Sequence, residues 1–302
     1  MNRPGGTILL FLLRTLGALP LRFHYACSGF VAWLAGNVLR YRRDVVMTNL
    51  ARSFPDLKYS DLKAICKDFY RHFAEIVAEA IWFAGCSDAG RLRASHLVEI
   101  VNAEEFNSFY DASNGVFLLT AHTGNWELYG GFESYSYNGP FRITRENAVV
   151  VYKKLSSEAW DYVMKEARKT PLSDRESFDG MLESREIMRY AVSHKDERKV
   201  YVFDTDQHPY KGAAGVDVGT FMHQPTRSMA GAAKLAVKYG MGVCYMTMER
   251  VKRGSYHMKL TPICTDASGM SPEEIMKKYY ALVQADIEAC PANYLWTHKR
   301  WK

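Results

Sequence analysis

Residues 115–131 read Gly-Val-Phe-Leu-Leu-Thr-Ala-His-Thr-Gly-Asn-Trp-Glu-Leu-Tyr-Gly-Gly. The apolar run Val116-Phe117-Leu118-Leu119 has the length and composition of a buried strand. Thr123 and Gly124 then mark a turn, and Trp126-Glu127-Leu128-Tyr129 after Asn125 reads as the start of a helix. A buried strand feeding a turn and a helix is where α/β proteins place reactive groups. The strand fixes the backbone and the helix start offers N–H donors. His122 stands at that turn, placed to take a proton, and Glu127, five residues on, is a carboxylate that can hold its ring. The plainer reading of the same residues is a histidine that caps a helix while Glu127 faces solvent. Spacing alone does not separate the two.

Working outward, strand-like and helix-like segments alternate. Leu97–Val101 reads as a strand and Ala103–Tyr110 as a helix. Ala148–Tyr152 is a strand ending at Lys153 and Lys154, and residues 155–180 are helix and then loop. Arg185–His194 is a helix, and Lys199–Phe203 is a strand ending at Asp204, Asp206 and Gln207. A glycine-rich loop, Lys211–Gly219, precedes a helix over Ser228–Tyr239. Val243–Val251 and Tyr256–Leu260 are strands and Pro272–Ala289 a helix. Ser60 is the expected cap of a long helix reaching Phe83, with Leu62, Ile65, Phe69, Phe73, Ile76 and Ala80 on its apolar side. This order predicts an α/β fold with a central, mostly parallel sheet covered by helices on both faces.

Residues 1–43 differ in character. They contain no Asp or Glu, and their charges are Arg3, Arg14, Arg22, Arg40, Arg42 and Arg43. Two apolar blocks, Thr7–Leu19 and Phe23–Leu39, lie among these arginines. The second is at the short end for crossing a bilayer, and the arginines beyond Leu39 would keep the following domain cytoplasmic. A helix lying in the membrane interface and an ordinary buried helical hairpin are the other two readings. The expected organisation is an anchor over residues 1–43 and a catalytic domain over residues 44–302.

The chain has 302 residues, 48% of them apolar, enough for a large core. The net charge of +6 suits acidic partners or an anionic membrane surface. No zinc finger, aromatic RNA motif or dense basic run points to nucleic acid. The six cysteines are far apart, without Cys-x-x-Cys, which suggests reduced thiols and no zinc knuckle. The loop around Gly212 and Gly215 matches no phosphate-loop signature, and no Gly-x-Ser-x-Gly supports a serine hydrolase. Asp204, Asp206 and Gln207 lack a second acidic cluster for a metal, so a role in holding the site together is favoured, with no metal or cofactor required. Lys153, at a strand end, is a phosphate-binding candidate. His298 stands in an aromatic and basic tail that reads as a packed lid.

Several stretches together resemble one family, the lipid A late acyltransferases, within the glycerolipid acyltransferase superfamily. They are the N-terminal segment, Asn49-Leu50-Ala51-Arg52-Ser53-Phe54-Pro55, Ala121-His122-Thr123-Gly124-Asn125-Trp126-Glu127, Val150-Val151-Tyr152-Lys153, Asp206-Gln207 and Leu295–Lys302. The resemblance implies transfer of a fatty acyl chain from a thioester, carried on acyl carrier protein, to a hydroxyl of a phosphorylated glycolipid at the cytoplasmic face of the inner membrane. It makes His122 the general base and Glu127 its partner, with no acyl-enzyme. Gly124 and Asn125 would supply oxyanion donors, Lys153 would bind the acceptor phosphate, and Asp206 and Gln207 would contact substrate. Another lysophospholipid or glycolipid acceptor, and a non-catalytic lipid-binding protein, are the alternative readings.

Overall fold

The computed structural model describes residues 4–86, 88–172, 176–209 and 215–301. The chain begins with α1 (Pro4–Gly17), α2 (Leu21–Trp33) and a π-helical turn, Leu34–Val38, followed by α3 (Arg43–Ser53) and the long α4 (Tyr59–Ala84). Next come α5 (Ala89–Ser95), β1 (Val98–Ile100), α6 (Ala103–Asp111), β2 (Val116–Thr120), a 3₁₀ segment at Trp126–Ser134, β3 (Ala148–Tyr152) and α7 (Glu158–Lys169). The remainder is β4 (Met181–Glu183), α8 (Ile187–Ser193), β5 (Val200–Asp204), β6 (Gly215–Phe221), β7 (Gln224–Met229), α9 (Gly231–Tyr239), β8 (Gly242–Lys252), β9 (Ser255–Cys264) and α10 (Pro272–Ala289).

Seven strands form one sheet in the order β1-β9-β8-β2-β5-β3-β4. All its pairings are parallel except β8 with β9. β2 is the middle strand and every one of its residues is buried. The alternation of a strand splits its side chains between two cores. Phe117 and Leu119 join the core built with α9, α10, α3 and the first half of α4. Val116 and Leu118 join the core built with α5, α6 and the end of α4. The expected α/β sheet with helices on both faces is therefore what the chain forms.

Three local expectations are corrected. Ser60 does not cap α4: the N-cap is Lys58, without a side-chain cap, and Ser60 Oγ bonds the Asp61 carboxylate at 3.2 Å. The expected helix from Ser228 begins only at Gly231, because Gln224–Met229 is a strand. Of the expected loop Lys211–Gly219, residues 211–214 lie outside the described residues, and Gly215 onward is strand β6, paired antiparallel with β7. The turn of this hairpin is Met222-His223, with φ of 49° and 62°. Two positive φ values are the type I′ geometry usually signalled by Asn-Gly, and neither residue carries that signal.

The N-terminal hairpin is seated on the domain by specific contacts. α1 ends where Gly17 meets Gly85, and a Cβ on Gly85 would lie 2.2 Å from the Gly17 carbonyl carbon. Arg91 Nη2 lies 3.1, 3.2 and 3.0 Å from the carbonyl oxygens of Gly17, Ala18 and Leu19. It thus caps the helix end where orphan carbonyls collect. Among the described residues no single helix is long and apolar enough to cross a membrane; α1 and the segment Leu21–Val38, which is α2 with its π-helical turn, meet at a bend of 108°. Their outward side chains Phe11, Leu12, Phe30 and Trp33 are each more than half exposed.

Gly85→Val is expected to unseat α1 without disturbing the sheet. Overpacking of this kind costs about 1–3 kcal/mol, and each 1.4 kcal/mol is about a tenfold change in opening, so cleavage within residues 4–20 should rise roughly tenfold or more. Limited proteolysis with mass spectrometry, alongside circular dichroism, checks this.

Candidate active site

β2 and β5 are parallel neighbours in the register Thr120↔Asp204. Two residues beyond each of these partners stand His122 and Asp206. Because both strands leave the sheet at the same edge, the two side chains meet: His122 Nδ1 lies 2.7 Å from Asp206 Oδ1. Asp206 is almost wholly buried and the imidazole only slightly exposed. Gln207 Nε2 sits 3.2 Å from His122 Nε2. In the neutral ring, with Nδ1–H donated to Asp206, Nε2 carries the lone pair and can accept from the Gln207 amide. Trp126 stacks edge-on against the imidazole at 5.3 Å between ring centroids.

Burial alone would lower the pKa of His122, but the Asp206 charge and hydrogen bond, helped by Asp204 and Glu127, outweigh it and raise the value to about 9. Burial pushes the Asp206 pKa up, and the His122 charge and hydrogen bonds, with Arg300 behind them, bring it below its ordinary value. Each member of the pair therefore favours the charged form of the other.

Glu127 does not hold the ring. Its carboxylate is gripped by Arg168 of α7, Nε to Oε2 at 2.9 Å and Nη2 to Oε1 at 2.9 Å, and accepts from Trp126 Nε1 at 3.1 Å. Burial opposes ionisation of Glu127, and Arg168 overcomes it, leaving the pKa below the ordinary value. The expectation that Glu127 orients His122 is corrected for a geometric reason. The segment after Asn125 is a tight 3₁₀ turn that aims Glu127 at α7, while strand register delivers Asp206 to Nδ1.

The oxyanion expectation at Gly124 is corrected as well. Gly124 N–H donates to Asn293 O at 2.9 Å, Thr123 N–H to Ala121 O at 2.8 Å, and Glu127 N–H to Asn125 Oδ1 at 3.2 Å. Asn125 is fully buried, its side chain spent on that cap and on Glu79. Gly124 has φ of +61°, and a Cβ there would lie 2.0 Å from Met248 O, so only glycine fits. Lys153 is exposed just past the end of β3, and β5 lies between β3 and β2.

The loop is fixed from below by residues that motif reading passed over. The Glu79 carboxylate, fully buried, accepts from Tyr25 Oη at 2.6 Å, Asn125 Nδ2 at 2.7 Å and Tyr256 Oη at 2.7 Å. His72 Nε2 meets Gly124 O at 3.3 Å. A signal for Glu79 was present: it falls on the apolar side of α4, beside Ile76 and Ala80. The tail closes the arrangement from the other side. Thr123 bridges Tyr294, and Leu295 N–H donates to His122 O at 3.0 Å. Asn49 Nδ2 reaches Trp296 O and His298 O, each at 2.9 Å. The tail is thus a buried strap rather than a lid. Glu79→Leu should strand two buried donors, Asn125 Nδ2 and Tyr256 Oη, at about 1–3 kcal/mol each, and the half-buried Tyr25 Oη as well. Its urea midpoint is expected to fall well below that of Tyr25→Phe, which removes one donor.

Against known proteins, the chain matches no curated sequence. One family model, that of the bacterial lipid A biosynthesis acyltransferases, matches residues 5–302. That match takes in the strand, the His122 loop, Asp206 and the closing strap in one run. The chain belongs to the bacterial lipid A biosynthesis acyltransferase family.

Proposed function

We propose that this acyltransferase moves a fatty acyl chain from a thioester, carried on acyl carrier protein, to a hydroxyl of a phosphorylated glycolipid of the lipid A pathway, with His122 as general base. The observation that carries this is the His122–Asp206 pair at the carboxyl edge of the central strand, its Nε2 turned away from Asp206.

Acyl transfer to an alcohol needs a base for the hydroxyl proton and a donor for the oxyanion. The acceptor hydroxyl takes the place of the Gln207 amide at His122 Nε2. His122 accepts its proton as the oxygen attacks the thioester carbonyl, and the imidazolium is stabilised across Nδ1 by Asp206, the part an aspartate plays in a hydrolase triad. Gln207, displaced from Nε2, turns its N–H2 toward the carbonyl oxygen that becomes negative. The tetrahedral intermediate collapses and the thiolate leaves with the proton from His122. Glu127, locked to Arg168, adds negative potential that favours the imidazolium without touching it. No protein nucleophile is used, so no acyl-enzyme forms.

Lys153 stands at the same edge of the sheet. Neighbouring strands are about 4.8 Å apart, which places β3 two strand spacings from β2 and suits a phosphate distant from the reacting hydroxyl. The outward apolar face of α1 and α2, free of acidic residues, supports a hairpin lying in the interface of the inner membrane on its cytoplasmic side, where a lipid acceptor is met. The intact His122–Asp206 pair disfavours a non-catalytic lipid-binding role.

His122→Ala is expected to lower kcat by roughly 10²–10⁴-fold in an assay of donor and acceptor followed by mass spectrometry of the product. Wild-type turnover in that variant would overturn the mechanism. Asp206→Asn should fall nearly as far, and Glu127→Gln less. Lys153→Ala should raise the acceptor KM and leave kcat in place, since that contact is made in ground and transition states alike.

The pH profile follows from the raised pKa. His122 must be neutral to act, so kcat/KM should climb as pH rises toward about 9, and Asp206→Asn should move that midpoint down toward 6.5. Stability runs the other way. The His122 contribution is full below 6.5 and is lost as pH rises through about 9. The Asp206 contribution is present above 3.8 and is lost on acidification. Thermal melts across this range check the opposition.

A further inference from the structure

Lys63, Lys67 and Arg71 recur every four residues along α4 and so form one row of like charge. Cations at this spacing repel across each turn. The row faces the small-residue side of α2 and the π-helical turn, where Gly29, Ala32 and Gly36 leave room. Between them is a cleft of about 270 Å³, floored by Cys66 and Tyr70. A Cβ placed on Gly29 would meet nothing within 4 Å, so the space there is open.

The cations of this cleft are unequally committed. Arg71 pairs with Asp68 at 3.2 Å, and Arg253 with the buried Glu75 at 2.7 Å. Arg43 Nη1 donates to Gly36 O at 3.1 Å. Lys63 lies 5.5 Å from the Tyr59 ring centroid. Among the described residues Lys67 makes no ion pair, and no Asp or Glu lines the cleft. Trp33 lines the cleft and Phe30 is in ring contact with it, and both are apolar and more than half exposed. A ligand that satisfies all of this has a compact anionic head and apolar chains. None of the lining residues belongs to the His122 cluster.

We propose that this cleft is a non-catalytic site for the phosphate headgroup of an anionic membrane phospholipid, whose chains lie along the exposed face of α2. The proposal rests on the reading that residues 4–43 lie on a membrane. Lys67 and Lys63 neutralise the phosphate, the Gly29 gap admits it, and Trp33 sits at the headgroup level favoured by amphipathic rings.

The test uses the full chain and two readouts. The first is binding of water-soluble dihexanoyl phosphatidylglycerol or dihexanoyl phosphatidylcholine below their micelle concentrations, followed by phosphorus NMR. The second is flotation with vesicles of phosphatidylcholine alone or mixed with phosphatidylglycerol. Gly29→Leu fills the cleft and keeps every charge, and Leu is the better helix former. The double variant Lys63→Gln, Lys67→Gln keeps the space and removes charge. Lys234→Gln with Lys238→Gln, on α9, removes the same charge elsewhere. Both cleft variants are expected to weaken binding of the soluble phosphatidylglycerol at least tenfold and to float less with mixed vesicles, with the α9 variant like wild type. If Gly29→Leu binds and floats as wild type does, the cleft is overturned and the membrane reading survives. If the α9 variant loses as much as the lysine variant, general surface charge is the cause and the cleft is again overturned. Inorganic phosphate that displaces the soluble lipid at equal concentration makes this a free-phosphate site and overturns the lipid assignment. Wild-type protein that floats with neither vesicle overturns the membrane reading and the proposal with it.

Discussion

A single buried carboxylate, Glu79, ties together parts of the chain that are far apart in sequence. Its two oxygens gather a tyrosine from α2, an asparagine from the His122 turn and a tyrosine from β9. Burial drives its pKa upward and the three donors oppose that rise. A carboxylate taken from water with only some of its partners is costly, so the four segments are held to one relative placement. Asn125 then passes the constraint on by capping the 3₁₀ turn that aims Glu127 at Arg168. The N-terminal hairpin and the His122 turn are consequently parts of one packed body, even though the composition of residues 1–43 sets them apart.

Charge at the site follows the same economy of position. Of the three carboxylates that act on the imidazole, Asp204 accepts from Thr120, and Asp206 and Glu127 are kept apart by different partners. Asp206 faces Nδ1 with Arg300 behind it, and Glu127 faces a guanidinium. Each is therefore ionised in a buried place, and neither competes for the other's hydrogen bond. Nε2 is left as the one ring atom directed at neither carboxylate.

Much of this was legible from residues. The buried run before His122 announced the central strand, because five consecutive residues buried on both faces leave no polar alternation. The alternation of elements after it announced a parallel sheet, and Ala148–Tyr152 and Pro272–Ala289 fall where pattern put them. The partner of His122 was not legible in the same way. Asp206 is 84 residues away, and its approach depends on which strand pairs with β2 and in what register. Spacing along the chain favours Glu127, which is near in sequence and turned elsewhere in space. The β6–β7 hairpin escaped because its turn residues, Met222 and His223, adopt positive φ without being the residues that usually do. The strap was visible as an aromatic and basic tail, but its pairing with Thr123 and Asn49 is a long-range contact that local pattern does not encode.

The strap also bears on the order in which the protein comes into being. Synthesis runs from α1 forward, so the apolar hairpin, the long helix and the middle strand all leave the ribosome before residues 293–300 exist. Until then the His122 turn lacks the Asn293 carbonyl for the Gly124 amide, the bridge from Tyr294 and the guanidinium of Arg300 behind Asp206. A nascent chain can thus settle its hairpin while its chemistry is still unassembled. The contacts that the strap makes with the His122 turn are among the last that can form, and a polypeptide interrupted before residues 293–300 would lack all three.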